Sequence, residues 1–196
     1  MRLIDLTLTI SEDLPVYPGD PEVKFRTYES EGFWVSEVRL GSHTGTHIDV
    51  PRHVNPQGQG VDEVPLERLS GWGTVIDARG MEIVEVQELP EAEIILFYTG
   101  SNADLERVMR GKYSVLSEGL AERISKSKVK LVGIDSPSVG SLKVHRALLD
   151  KGIIIVENLS SRLEELLGKK FFFVAAPIPL KGLDGAPARA FAILFD

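Results

Sequence analysis

A mixed α/β fold in one domain spanning residues 1–196 is predicted from three observations: apolar runs of strand length, amphipathic segments of helix length between them, and turn-rich breaks too short to separate domains. The amino-terminal part is strand-rich, with candidate strands at 3–9, 23–28 and 35–40 around the turn-forming stretch Pro15-Val-Tyr-Pro-Gly-Asp-Pro21. After Gly73 the pattern changes. Strands at 74–77, 94–98, 129–134, 153–156 and 171–174 alternate with helical segments. Ser101 or Asn102 is suited to cap a helix reaching Met109, and Ser117 one reaching Ile124. Segments 142–149 and 161–167 carry apolar residues three and four apart, the spacing of a buried helix face. A last strand is expected at 188–194. It follows the loop 177–187, whose Pro and Gly content reads as irregular structure.

Composition narrows the function classes. A hydrophobic fraction of 43% over 196 residues suffices for a substantial core. The formal charge of −7, with no cluster of Lys or Arg, argues against a nucleic-acid partner. Cysteine is absent, so any metal must be held by nitrogen and oxygen ligands. The start MRLIDLTLTI alternates polar and apolar residues instead of forming a secretory leader, and no apolar run approaches membrane-spanning length. A cytoplasmic protein acting on a small molecule is expected, without a membrane partner.

Three of the four histidines, His43, His47 and His53, fall within eleven residues together with Asp49. A helix would place His43 and His47 on one face, but Gly45, the β-branched residues around it and Pro51 favour a strand ending in a turn. In extended backbone, positions 43, 45, 47 and 49 share a face, so His43, His47 and Asp49 would converge on one cation with Gly45 leaving room beside it. Two imidazoles and a carboxylate leave a coordination position open for water, as a catalytic site requires. His53, beyond the turn, is the candidate general acid/base.

The segment fits the pattern His-x-Gly-Thr-His-x-Asp-x-Pro-x-His, and by it the chain resembles the cyclase family of metal-dependent hydrolases, best known for bacterial kynurenine formamidases. The resemblance extends to Tyr17-Pro-Gly-Asp20, Lys130-Leu-Val-Gly-Ile-Asp-Ser-Pro-Ser138, Gly152-Ile-Ile-Ile-Val-Glu-Asn-Leu159 and Pro179-Leu-Lys-Gly-Leu-Asp-Gly-Ala-Pro-Ala-Arg189. It implies a compact domain with a β-barrel-like core and flanking helices, assembled as a homodimer or homotetramer. It also implies two divalent metal ions, zinc in most members and manganese in some. Carried over by position, His43, His47 and Asp49 match the first site; Asp49 would bridge to a second completed by His145 and Glu157. Without the resemblance, His145 reads as an ordinary helix residue. Tyr17 stands where kynurenine formamidases often carry Trp, which leaves it as a candidate substrate contact.

The reading that follows is hydrolysis of an aryl formamide such as N-formylkynurenine, by water activated at the metal site with His53 moving the proton. A second reading is hydrolysis of another cyclic amide, lactam or lactone, as in isatin hydrolases; a third is a metal-binding assembly protein without turnover. Serine catalysis through Ser42, Ser136 or Ser138 is disfavoured, because no Gly-x-Ser-x-Gly elbow occurs and a triad would have to borrow a histidine from the cluster. Locally, Tyr17-Pro-Gly-Asp20 reads as a β-turn, and Trp34 and Trp72 read as core or interface aromatics.

Overall fold

The structure, a computed structural model, describes residues 1–195, apart from the side chains of residues 105 and 106. The strands run β1 Arg2–Asp5, β2 Lys24–Ser30, β3 Phe33–Arg39, β4 His47–Asp49, β5 Ser70–Asp77, β6 Ile83–Val84, β7 Ile94–Tyr98, β8 Val115–Leu116, β9 Leu131–Ile134, β10 Ile154–Glu157, β11 Phe171–Pro177 and β12 Gly185–Leu194. The helices are α1 Leu105–Met109, α2 Glu118–Ser125 and α3 Leu142–Leu149, with short 3₁₀ turns at Pro51–His53, Val61–Glu63, Leu66–Arg68, Ser101–Ala103 and Ser161–Leu166.

The main sheet has the order β1-β12-β11-β5-β7-β9-β10-β4, and a further pairing of β12 with β4 closes seven of these strands into a barrel, as the resemblance implied. β5, β7, β9 and β10 are parallel, joined by crossovers that carry the helices; β4, β12 and β11 complete the ring antiparallel. Successive strand residues point to opposite faces, and in β4, β7, β9 and β10 both faces are buried. Ile94 and Leu96 of β7 fill the barrel with Phe171, Phe173 and Val156, while Ile95 and Phe97 face outward against α2 and α3. Each such fully buried side chain contributes about 1.5–3 kcal/mol relative to exposure.

Most expected elements are present, and their differences have physical causes. Ser117 caps α2 by accepting the Leu120 N–H at 2.9 Å. Neither Ser101 nor Asn102 caps α1: Ser101 accepts the Ser114 N–H and Asn102 donates to the Leu159 carbonyl, so Asp104 receives the Arg107 N–H instead. The segment expected as a helix over 161–167 forms a 3₁₀ turn over Ser161–Leu166, in which the buried Leu163 and Leu166, three apart, lie one above the other. The loop 177–187 is shorter than expected. Gly185 to Pro187 belong to β12, where pairing with β4 overrides their turn propensity.

β2 and β3 form a hairpin that stands apart from the barrel, every residue of both strands being exposed. Trp34 on it is therefore no core residue of this chain, whereas Trp72 packs edge-on against Phe172. No helix among the described residues is long and apolar enough to cross a membrane.

Barrel closure depends on a close approach at Gly185, where an added Cβ would lie 2.4 Å from the Ile48 carbonyl oxygen and 3.0 Å from His43 Cε1. Gly185→Ala is expected to prise β12 from β4 and cost about 1–3 kcal/mol, read as a lower urea midpoint. An unchanged midpoint would mean that the seam tolerates opening.

Candidate metal and active site

β4 carries Ile48 into the barrel and turns His47 and Asp49 outward; β10 beside it does the same with Val156 inward and Glu157 outward, in the register Glu157 to His47. The crossover helix α3 brings His145 over the same patch. His43 arrives differently from the extended reading. Residues 41–46 form turns, with Gly45 left-handed at φ +63, so position 43 does not share a strand face with 47 and 49. The bend instead returns His43 over Asp49, Nδ1 lying 2.8 Å from Oδ1, and turns the Gly45 carbonyl to His47 Nδ1 at 2.8 Å.

The resulting centre is crowded with carboxylate oxygen and imidazole nitrogen. Asp49 is fully buried and Glu157 nearly so. His47 Nε2 lies 3.3 Å from Asp49 Oδ1 and 3.4 Å from Glu157 Oε2, and His145 Nε2 lies 3.3 Å from Glu157 Oε1 and 3.6 Å from Asp49 Oδ2. These contacts are close without being well-formed hydrogen bonds: His47 Nε2 and Asp49 Oδ2 are buried with no hydrogen-bond partner. Such atoms carry a large desolvation cost unless a further group completes them. A divalent cation fits, since the atoms are nitrogen and oxygen donors and approach one another closely enough to share an ion.

Among the described residues two groups could hold a cation: His47, Asp49 and Glu157, all buried, and His43, Asp49 and His53, of which only Asp49 is fully buried. Asp49 belongs to both. The grouping differs from the sequence expectation in placing His47 with Glu157, and in bringing His53 close enough to share a cation with His43. His145 is assembled into the centre without belonging to either tight group.

One nitrogen of each imidazole is committed to an anchor. His47 Nδ1 faces the Gly45 carbonyl and His145 Nδ1 the Ser141 carbonyl at 3.1 Å. His43 Nε2 and His53 Nδ1 both meet Oδ2 of Asp184, at 2.8 and 3.2 Å. Asp184 is not singled out by the sequence, because it lies in a Pro- and Gly-rich loop 141 residues from His43 and 131 from His53. Among the candidate serines, Ser42 donates to Asp184, Ser136 to Ser101 and Ser138 to the Gly140 carbonyl. None of the three donates to an imidazole.

The centre opens into a cavity of about 1100 Å³ whose walls include Tyr17, Val108, Tyr113, Ser138 and Leu142. Tyr17 is thus part of the cavity wall. Tyr113, which sequence periodicity did not mark, faces it, and burial followed by the Tyr17 hydroxyl pushes its phenol up to about 12.

The carboxylates draw protons onto the imidazoles. Burial opposes charge on His47, but Asp49 and Glu157 raise its pKa to about 10. Burial likewise opposes charge on His43, which Asp184 and Asp49 raise to about 9, and on His145, which Glu157 and Asp49 raise to about 9. Asp184 is held well below the usual carboxylate range by His43 and then His53. Burial would raise Asp49, but His43 and His47 hold it far below its ordinary value.

Comparison with known proteins agrees with this architecture. The profile of the family described as "Putative cyclase" matches residues 4–141. An uncharacterised protein of Methanocaldococcus jannaschii is 36% identical over 99% of this chain and 100% of its own. A kynurenine formamidase of Salinibacter ruber is 32% identical, covering 97% of this chain and 96% of its own. The structure of a "predicted metal-dependent hydrolase" from Bacillus stearothermophilus superposes with a TM-score of 0.83 at 28% identity, covering 97% of both chains.

The raised imidazoles set a pH dependence. Folded metal-free protein binds more protons than the unfolded chain above the ordinary histidine value of 6.5, so this stabilisation is fully present below it and lost as pH rises through about 9 to 10. Urea unfolding of metal-stripped protein is expected to show a midpoint that falls across that window. A level or rising midpoint would mean that the carboxylates do not hold these protons.

Proposed function

The chain belongs to the cyclase family, and on that premise we propose that it is a metal-dependent hydrolase of a small-molecule amide, with an aryl formamide such as N-formylkynurenine as substrate. The observation that carries this reading is the pair of buried, unpartnered atoms His47 Nε2 and Asp49 Oδ2 in a centre whose His47 and Glu157 line the cavity. The donor chemistry suits two divalent ions, zinc or manganese, and His43, His47, Asp49, His145 and Glu157 are the residues that would hold them. The chemistry supplied there by a bound cation would be a lowered pKa for water, from its bulk value towards 7, and a polarised carbonyl.

The protein's own groups do the rest. Tyr17 and Tyr113 offer a wall for an aromatic ring. His53, half in solvent at the cavity edge, accepts a proton from the attacking water and returns it to the departing aryl amine. Water adds at the formyl carbon, the carbon–nitrogen bond breaks, and formate and the free amine leave. The kynurenine formamidase of Salinibacter ruber, at 32% identity across nearly the whole chain, supports the substrate class.

Assembly as a homodimer or homotetramer belongs to the same proposal. The hairpin exposes Phe33 and Trp34 at 74% and 75%, and a two-stranded ribbon is marginal in water unless something packs on it. A second copy is the natural cover. Sedimentation velocity is expected to give a dimer or tetramer for the wild type and a smaller species for Trp34→Glu; a monomeric wild type at micromolar concentration would sink this part.

For the activity, protein reloaded with zinc or manganese is expected to hydrolyse N-formylkynurenine and chelated protein to be inactive. His53→Ala is expected to lower kcat about 100- to 10,000-fold while the metal content, read by elemental analysis, is unchanged. Fully metallated protein that leaves the formamide intact but opens lactams or lactones would move the assignment to cyclic substrates.

A further inference from the structure

Asp184 occupies a position that neither metal binding nor substrate contact accounts for. Its carbonyl accepts the Val50 N–H at 3.2 Å, and its Oδ1 accepts the Ser42 hydroxyl at 3.0 Å. The next residue is Gly185, whose missing side chain lets this loop lie against His43. With backbone and one oxygen fixed, Oδ2 is left facing two imidazoles at once, His43 Nε2 at 2.8 Å and His53 Nδ1 at 3.2 Å. A carboxylate accepts only, so both of these nitrogens must carry hydrogen.

The consequences differ for the two rings. On His43, Nδ1 faces the Asp49 carboxylate at 2.8 Å and carries the second hydrogen of the metal-free ring, so a cation that displaces that proton takes the Nδ1 lone pair while the Nε2 hydrogen stays bonded to Asp184. On His53, hydrogen at Nδ1 leaves Nε2 as the basic nitrogen. We propose that Asp184 is a positioning residue, one carboxylate that fixes the tautomers of a metal-binding histidine and of the proton-transferring histidine together, so that neither role can shift without the other. The assignment for His53 rests on the hydrolase reading above; that for His43 requires only that the centre binds a cation. Ligating imidazoles are commonly oriented in this way by a carboxylate on the far nitrogen. Sharing one oxygen between a ligand and the acid/base goes further, because it couples cation binding to the orientation of His53.

The test uses the zinc-loaded full chain, labelled with nitrogen-15 in its histidines. Two-bond nitrogen–hydrogen correlation spectra are expected to show His43 protonated at Nε2 and His53 at Nδ1 in the wild type. Asp184→Asn keeps the shape but replaces an acceptor oxygen with a donor, and is expected to move His53 towards the Nε2-protonated form. It should also weaken zinc binding about 10- to 100-fold and lower kcat by a similar factor with KM little changed. Ser42→Ala, which frees Oδ1 and leaves the carboxylate in place, should shift the same populations by less, and it decides the matter if Asp184→Asn does not fold. Unmoved tautomers in the folded variants would overturn the proposal, as would loss of a whole equivalent of zinc at saturation in Asp184→Asn, which would make Asp184 a ligand. If the wild type hydrolysed no amide or lactone, the function proposed above would fail while the spectra and the zinc titration still judged Asp184.

Discussion

Burial of the Asp49 and Glu157 carboxylates is the constraint on which the rest of this structure depends. A carboxylate removed from water must be matched by positive charge or strong donors, or it will not stay ionised. Here the matching groups are imidazoles: His43, His47 and His145 around Asp49, and His47 and His145 around Glu157, which also accepts the Val139 N–H at 2.6 Å. Protons on those rings compete with a cation for the same electron pairs, so metal binding releases protons and the metal-free protein keeps its charge balance by retaining them.

The barrel makes this burial possible by giving the centre a face instead of an interior. Strands β7, β9 and β10 send alternate residues to two apolar environments, the lumen and the seam beneath the helices. At the ends of β4 and β10 the outer face turns polar while staying buried, and there α3 supplies His145 in place of another aliphatic contact. Glu157 closes the parallel strand β10, and the loop after β9 forms part of the cavity wall. Ligands in parallel α/β sheets commonly gather at the carboxyl ends of strands, because the connecting loops there can carry polar groups without disrupting the core.

How much of this is legible in the sequence depends on how local the cause is. β7 and α3 appear where apolar runs and three-and-four spacing place them, since periodicity alone determines which side is buried. The histidine segment is legible because residue type and spacing converge within eleven positions. Its path is not: Gly45 permits a left-handed turn, and only the closed barrel makes that turn necessary. The strand character of Gly185 to Pro187 is likewise hidden, because it comes from pairing with β4 across the barrel seam. Asp184 and Tyr113 lie in segments with no periodic signal and acquire their places from tertiary contacts alone.

The centre is also asymmetric in depth. Asp49 and Glu157 lie at its floor, whereas the side chains of His53 and Asp184 keep 32% and 37% of their surface in contact with solvent. Fixed charge is worth most where water is excluded, and proton exchange needs a route to water. The floor is therefore suited to hold charge and the rim to move it. His43 joins the two, meeting Asp49 with one nitrogen and Asp184 with the other. A change in the charge at the floor must then be felt at the rim through a single ring, which makes the orientation of His43 the point where binding and proton transfer meet.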